Sequence, residues 1–312
     1  MKKIWINTIA ILSIFYMNSC QKDIPQKVSF EANPDRMEIG LQDSVTFTYT
    51  GYADVISFYS GEKGREYQYR DRTEMEGLSM ELSIASRVLY GSQEKNVKLM
   101  YSTTFSGNYS AAGIKEEEWT DISDKFTWST AAVPNGIAAT TTASGPADLS
   151  SLLVPGKPIY FAYRYESQAA TSAATGGRSW RLPVFDLATK TPEGTRAVLA
   201  TVRTAGWKIV PVLTGVNKAS YWTISSSDPY LFFTPNSTLE PHIHWVITAP
   251  FAPTSVKPDK PLVQKAMIDP MPQRLTYKFT APGTYKVTFV AQNVNYKGEE
   301  TAVKQFDIKV NP

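Results

Sequence analysis

The chain is 312 residues long and 42% hydrophobic, with 32 Lys and Arg against 29 Asp and Glu for a formal net charge of +3. That length has room for two or three domains and that apolar content for a buried core. Charges of both signs are interspersed, which excludes the basic stripe a nucleic-acid partner requires, and Cys20, the single cysteine, has no disulfide partner in the chain.

Residues 1–20 carry the charged pair Lys2-Lys3, an apolar run from Ile4 to Met17, and then Asn18-Ser19-Cys20. A basic start, an apolar stretch of about 7–15 residues and a small residue before the cut make a signal peptide. The run is shorter than the roughly 20 apolar residues that span a bilayer. Met17-Asn18-Ser19-Cys20 is similar to the lipobox pattern Leu-(Ala/Ser)-(Gly/Ala)-Cys, with Met17 in place of leucine and a polar Asn18, so Cys20 is expected to carry lipid. The alternative is an ordinary signal peptide with an incidental cysteine. If lipidated, the N-terminus gains several acyl chains, and more than one chain anchors a protein stably to a membrane. Residues 21–27, polar with one proline, read as a tether.

Residues 28–91 read as a small Ig-like module of short alternating strands. Val28 to Ala32 is one strand, and Asp43 to Tyr49 alternates with Val45, Phe47 and Tyr49 on one face. Val55 to Tyr59 follows, and a hairpin through Ser60 to Gly64 leads into Tyr67-Gln68-Tyr69-Arg70. Residues 92–238 differ in texture. Strands are expected at Val97–Ser102, Lys125–Ser129, Ile159–Tyr165 and Arg178–Leu182, with small-residue loops at 138–146 and 167–177. Many strands joined by long loops fit a jelly-roll-like sandwich. Residues 239–312 return to a short, regular module. There Leu275–Phe279 turns through Ala281-Pro282-Gly283 into Thr284–Val290, and Val303–Val310 closes the chain. Pro presets φ and Gly supplies φ > 0, so the turn predicts a hairpin. The fold class is therefore all-β and multi-domain, with Ig/PKD-like sandwiches flanking a jelly roll, and no long helical period is found.

The stretch from Phe58-Tyr59-Ser60-Gly61-Glu62 to Tyr67-Gln68-Tyr69-Arg70-Asp71-Arg72 resembles the N-terminal signature of a Bacteroidetes family of outer-membrane lipoproteins carrying a PKD/Ig-like domain of unknown function. The similarity continues through Phe105–Tyr109, Trp119–Ile122 and Phe161–Tyr165, and Pro282–Phe289 is similar to the last hairpin of PKD domains. The resemblance implies an accessory of SusC/SusD-type polysaccharide uptake systems, displayed at the cell surface. It brings no established activity to carry over.

Catalytic machinery is hard to assemble from these residues. His242 and His244 are the only histidines; at i, i+2 on a strand both face one way, a possible metal pair, but no third ligand is identifiable and incidental histidines are the simpler reading. No Gly-x-Ser-x-Gly elbow occurs, and Glu116-Glu117-Glu118 reads as a solvated face or a loop cap rather than a glycosidase pair. Asp121, Asp124 and Asp148 could hold calcium, but without ordered ligand spacing. Tyr67, Tyr69, Arg70, Asp71 and Arg72 are read as structural aromatic and ion pairs ahead of a binding role. Neither a catalytic residue, a metal nor a cofactor is expected.

Aromatics reach 12%, with 17 Tyr, 14 Phe and 7 Trp. Most belong in strands and cores, yet a sugar needs an exposed ring to pack its C–H face, with amides and carboxylates beside it. Trp180 after the Gly-rich loop, and Trp222 with Tyr221 and Tyr230 around Ser225–Asp228, are the candidate platforms, each with a core role as the alternative. The reading is a non-catalytic, lipid-anchored surface protein of the outer membrane that binds a polysaccharide or oligosaccharide. Its alternatives are an assembly subunit docking to outer-membrane partners and, third, a carbohydrate-active enzyme.

Overall fold

The computed structural model describes residues 24–213, 221–228, 230–235 and 240–312. Cys20 with its prefix, the first tether residues 21–23, and the expected module boundary at 238/239 lie outside them. The fold is all-β with several sheets, and every helix among the described residues is a three-residue 3-10 turn. None is long and apolar enough to cross a membrane. The chain divides into two units, one formed by Met1–Arg72 together with Lys257–Pro312 and the other by Thr73–Val256.

Alternation builds the discontinuous unit. In Val45–Thr50 the side chains of Val45, Phe47 and Tyr49 are buried while Thr48 and Thr50 face out, the pattern of a strand with one face on the core. This strand lies between Glu31–Pro34 and Arg274–Tyr277 in a three-stranded sheet. The second sheet has five strands in the order Leu262–Lys265, Val55–Tyr59, Gly283–Asn295, Gly298–Asn311 and Glu38–Gly40. All its pairings are antiparallel except the last. The buried faces share one core in which Phe289 touches Phe30, Phe47, Tyr49 and Phe58 at ring-centroid distances of 5.0–6.1 Å. Burying each phenylalanine contributes roughly 1.5–3 kcal/mol.

The expected modules 28–91 and 239–312 are therefore not separate sandwiches: strands from both ends of the sequence pair within the same two sheets. Half a sandwich at either end would leave its apolar face in water, and pairing the ends covers both. The Pro282-Gly283 turn also departs from expectation. Arg274–Tyr277 pairs with Val45–Thr50 while Gly283–Asn295 pairs with Val55–Tyr59 and Gly298–Asn311, so the turn carries the chain between sheets rather than closing a hairpin.

Thr73–Val256 forms two antiparallel sheets. One has six strands and is ordered Tyr221–Ile224, Leu231–Thr234, Ser179–Lys190, Ser79–Leu89 and Thr142–Asp148, with Arg196–Thr201 also pairing Ser179–Lys190. The other has five, ordered Lys208–Leu213, His242–Ile247, Tyr160–Ser167, Val97–Ser102 and Thr120–Asp121. Ser79–Leu89, assigned by sequence to the first module, belongs here, and Thr142–Asp148 forms an edge strand where a loop was expected. Lys125–Ser129, expected as a strand, is the end of the 3-10 turn Ser123–Lys125 followed by an irregular segment. Tyr67–Tyr69 in the discontinuous unit is likewise a 3-10 turn.

The five-stranded sheet is covered on both faces. Leu99, Phe161, Tyr163, Tyr165 and Val246 enter the core between the sheets. Met100, Tyr160, Ala162, Trp245 and Ile247 pack on the other side beneath Phe105 and Trp119. This is why Tyr160–Ser167 reads as a near-continuous apolar run instead of alternating.

Candidate functional site

A cleft of about 680 Å³ lies within the Thr73–Val256 unit, in the range of small-molecule sites. Three chain segments build it. The turn Glu94-Lys95 leads into Val97 and Lys98 at the start of Val97–Ser102; Asp121 to Ala131 forms one wall; Arg178 and Trp180 come from the beginning of Ser179–Lys190.

The Asp121–Ala131 wall has no ladder of its own, so side chains fix it. Ser123 Oγ accepts from the Leu99 amide at 2.8 Å, and Asp121 Oδ1 accepts from the Ser123 amide at 2.9 Å. Ser86 and Ser129 exchange bonds with the backbone, Ser129 N to Ser86 Oγ at 3.0 Å and Val88 N to Ser129 Oγ at 3.2 Å. Ile122 and Phe126 plug the segment into the core. Trp128 is thereby held half-buried at the cleft, its Nε1 donating to the Ser123 carbonyl at 2.9 Å. Its ring meets Trp180 at 89° with centroids 5.8 Å apart, giving the cleft an aromatic corner.

Polar groups complete the lining. Lys98 pairs with Asp121 at 3.3 Å. Burial pushes the Asp121 carboxyl up, but bonds from Ser123 and the Lys98 ammonium outweigh it and hold its pKa below the ordinary value, so it is ionised at neutral pH. Glu94, Lys95, Asp124, Thr130 and Arg178 add donors and acceptors. The arrangement offers a ring surface beside charged hydrogen-bonding groups, which suits an amphipathic ligand such as a sugar.

The expected site residues fall in different places. Trp180 lines this cleft but is only 4% exposed, and its Nε1 donates to Asn96 Oδ1 at 2.7 Å. Trp222 is 0% exposed, tilted against Tyr163 and donating Nε1 to the His244 carbonyl at 3.3 Å. No ring face of Trp222 is free, which removes it as a platform; strand Tyr221–Ile224 turns it into the core. Tyr230 is half-buried away from the cleft, with the Arg203 guanidinium over its ring at 5.0 Å. The residue that sequence reasoning missed is Trp128, hidden because Phe126 and Trp128 share one parity and imitate a strand face.

His242 and His244 do lie on one face of a strand, but an interior one, stacked at 5.6 Å in the core. Among the described residues no group of three or more His, Cys, Asp or Glu could hold a metal ion, so Asp121, Asp124 and Asp148 do not converge. Glu116–Glu118 forms a 3-10 turn whose Glu116 pairs with Arg164 at 3.0 Å. In the other unit Arg70 and Arg72 stack over Tyr67 and Tyr69 at 4.2 and 3.9 Å, and Arg72 also pairs with Asp259 at 3.3 Å.

Neither curated proteins nor solved structures provide a match to the chain. A protein family described as a domain of unknown function (DUF5017) matches residues 19–207, a segment that contains every residue lining the cleft. On that match over more than half its length, the chain belongs to the DUF5017 family.

Proposed function

We propose that this protein is a non-catalytic glycan-binding component and that the sugar docks in the cleft at Trp128. The observation supporting this is the half-buried Trp128, pinned by Ser123 and flanked by Trp180, Lys98, Asp121 and Asp124. A pyranose C–H face would pack on such a ring, and the charged rim would take its hydroxyls. Affinity electrophoresis of the protein against plant, host and microbial polysaccharides tests the reading. Retardation by one glycan class is expected, with a loss of about tenfold or more in Trp128→Ala from the lost ring burial and retention in Trp128→Phe. No retardation across the panel would leave the assembly-subunit reading in its place.

The sequence adds the setting of this proposal. Lipid on Cys20 would anchor the protein in the outer membrane, as an accessory of a SusC/SusD-type polysaccharide uptake system. Cells fed labelled palmitate should incorporate label into the wild-type protein and none into Cys20→Ala; equal labelling would remove the anchor.

A further inference from the structure

Among the described residues three cationic side chains are buried: Arg164, Arg178 and Lys265. Arg164 is clasped by Glu116 and Glu166. Lys265 donates to the carbonyls of Asp54 and Ala266 at 2.8 and 3.2 Å. Arg178 is 5% exposed, its Nη1 is buried without a hydrogen-bond partner, and among the described residues no carboxylate pairs with it. A buried charge without a partner is strongly unfavourable, so folding alone does not account for keeping an arginine there. Arg178 lines the cleft that holds Trp128.

We infer that Arg178 is the receptor for an anionic group on the ligand, and that the glycan bound in this cleft is an acidic saccharide carrying a carboxylate, as a uronic acid does. The inference rests on the glycan reading and narrows it. Guanidinium presents a planar fork that matches a carboxylate through two parallel bonds. The rest of the lining selects the density of charge. Glu94, Asp121 and Asp124 offset Lys95 and Lys98, so the cleft is not a general basic trap and disfavours a heavily sulfated chain. Its place in the fold is fixed as well: a Cβ on Gly177 would lie 2.0 Å from Tyr165 Oη and 2.8 Å from Ser167 Cβ, so the backbone beside Arg178 sits tightly against Tyr160–Ser167.

The test uses the full chain with sodium polygalacturonate, alginate and hyaluronate, each beside its carboxyl-reduced counterpart, and with dextran sulfate as a separate arm. At least one uronate polymer should bind ten- to a hundredfold more tightly than its reduced form, and Arg178→Met should lose that difference. Arg178→Met should also melt about 2–4 °C higher without ligand, because it removes an unpaired buried charge at the expense of binding. A lower melting temperature with unchanged polymer binding would make Arg178 structural and overturn the inference. Equal, Trp128-dependent binding of uronate and reduced polymers would overturn it while leaving the glycan reading intact. Binding of dextran sulfate alone would replace carboxylate by sulfate, and binding of nothing would overturn both readings.

Discussion

At the scale of single residues, His244 shows how burial sets chemistry. It lies in the core against Phe233 and His242, and neither ring nitrogen has a hydrogen-bond partner. Burial, with repulsion from His242 added, lowers its pKa from 6.5 to about 4. Burial also lowers His242, opposed by Glu240. Between pH 6.5 and 4 the unfolded chain therefore binds protons that the folded one does not. Stability is full above pH 6.5, falls as pH drops through this window, and levels below about pH 4, with a total near 3 kcal/mol from His244. Urea denaturation across that range should show the slope in wild type and a shallower one in His244→Asn. Parallel slopes would mean that the ring is not neutralised by burial. The same scale explains which tryptophans could be judged from sequence. Large aromatics are mostly buried, and nothing local separates Trp222, wholly in the core, from Trp128, held at the cleft by serines up to forty-odd positions away.

At the scale of elements, alternation was readable wherever a strand has one buried face, as in Val45–Thr50 and Val55–Tyr59. It failed where side-chain bonds replace the ladder, as at Lys125–Ser129, and where two cations stack over neighbouring tyrosines, as at Tyr67–Tyr69. The strand expected at Arg178–Leu182 continues past Pro183: Ser179–Lys190 accommodates the missing N–H in a register shift between Arg181 and Val184. The tight approach at Gly177 yields an element-level prediction. Gly177→Ala must displace Tyr165 or Ser167 and push the start of Ser179–Lys190 outward. A loss of about 1–3 kcal/mol is expected, together with weaker ligand binding, since Arg178 and Trp180 move with it. Calorimetric melting and a binding titration on the same variant would check both, and an unchanged melting temperature would show that the strands part freely.

At the scale of the whole molecule, the discontinuous unit was not legible because its defining pairings join residues more than 200 positions apart, such as Phe58 with Phe289. Local pattern identifies strands but not which distant strand each one meets. The Thr73–Val256 unit closes on itself: the Met75 amide donates to the Thr254 carbonyl at 2.8 Å and the Val256 amide to the Thr73 carbonyl at 2.9 Å. A chain stopped after Val256 should keep that unit folded and lose the other, since Val55–Tyr59 would have neither Gly283–Asn295 nor Leu262–Lys265 beside it. Limited proteolysis should trim such a fragment to a core beginning near Thr73. Protection of residues 28–72 in the fragment would contradict the shared sandwich.

This closure has a consequence for the order of events on the ribosome. Val45–Thr50 emerges early with Glu31–Pro34 beside it, and Val55–Tyr59 follows, but Leu262–Lys265, Arg274–Tyr277 and Gly283–Asn295 emerge only after the whole of Thr73–Val256 has been made. At about 5–20 residues per second that interval is roughly 10–40 s. Throughout it the apolar faces of Val45, Phe47, Ile56 and Phe58 lack the later strands that cover them in the finished sandwich. The opening strands of the shared sandwich are thus translated first and covered last.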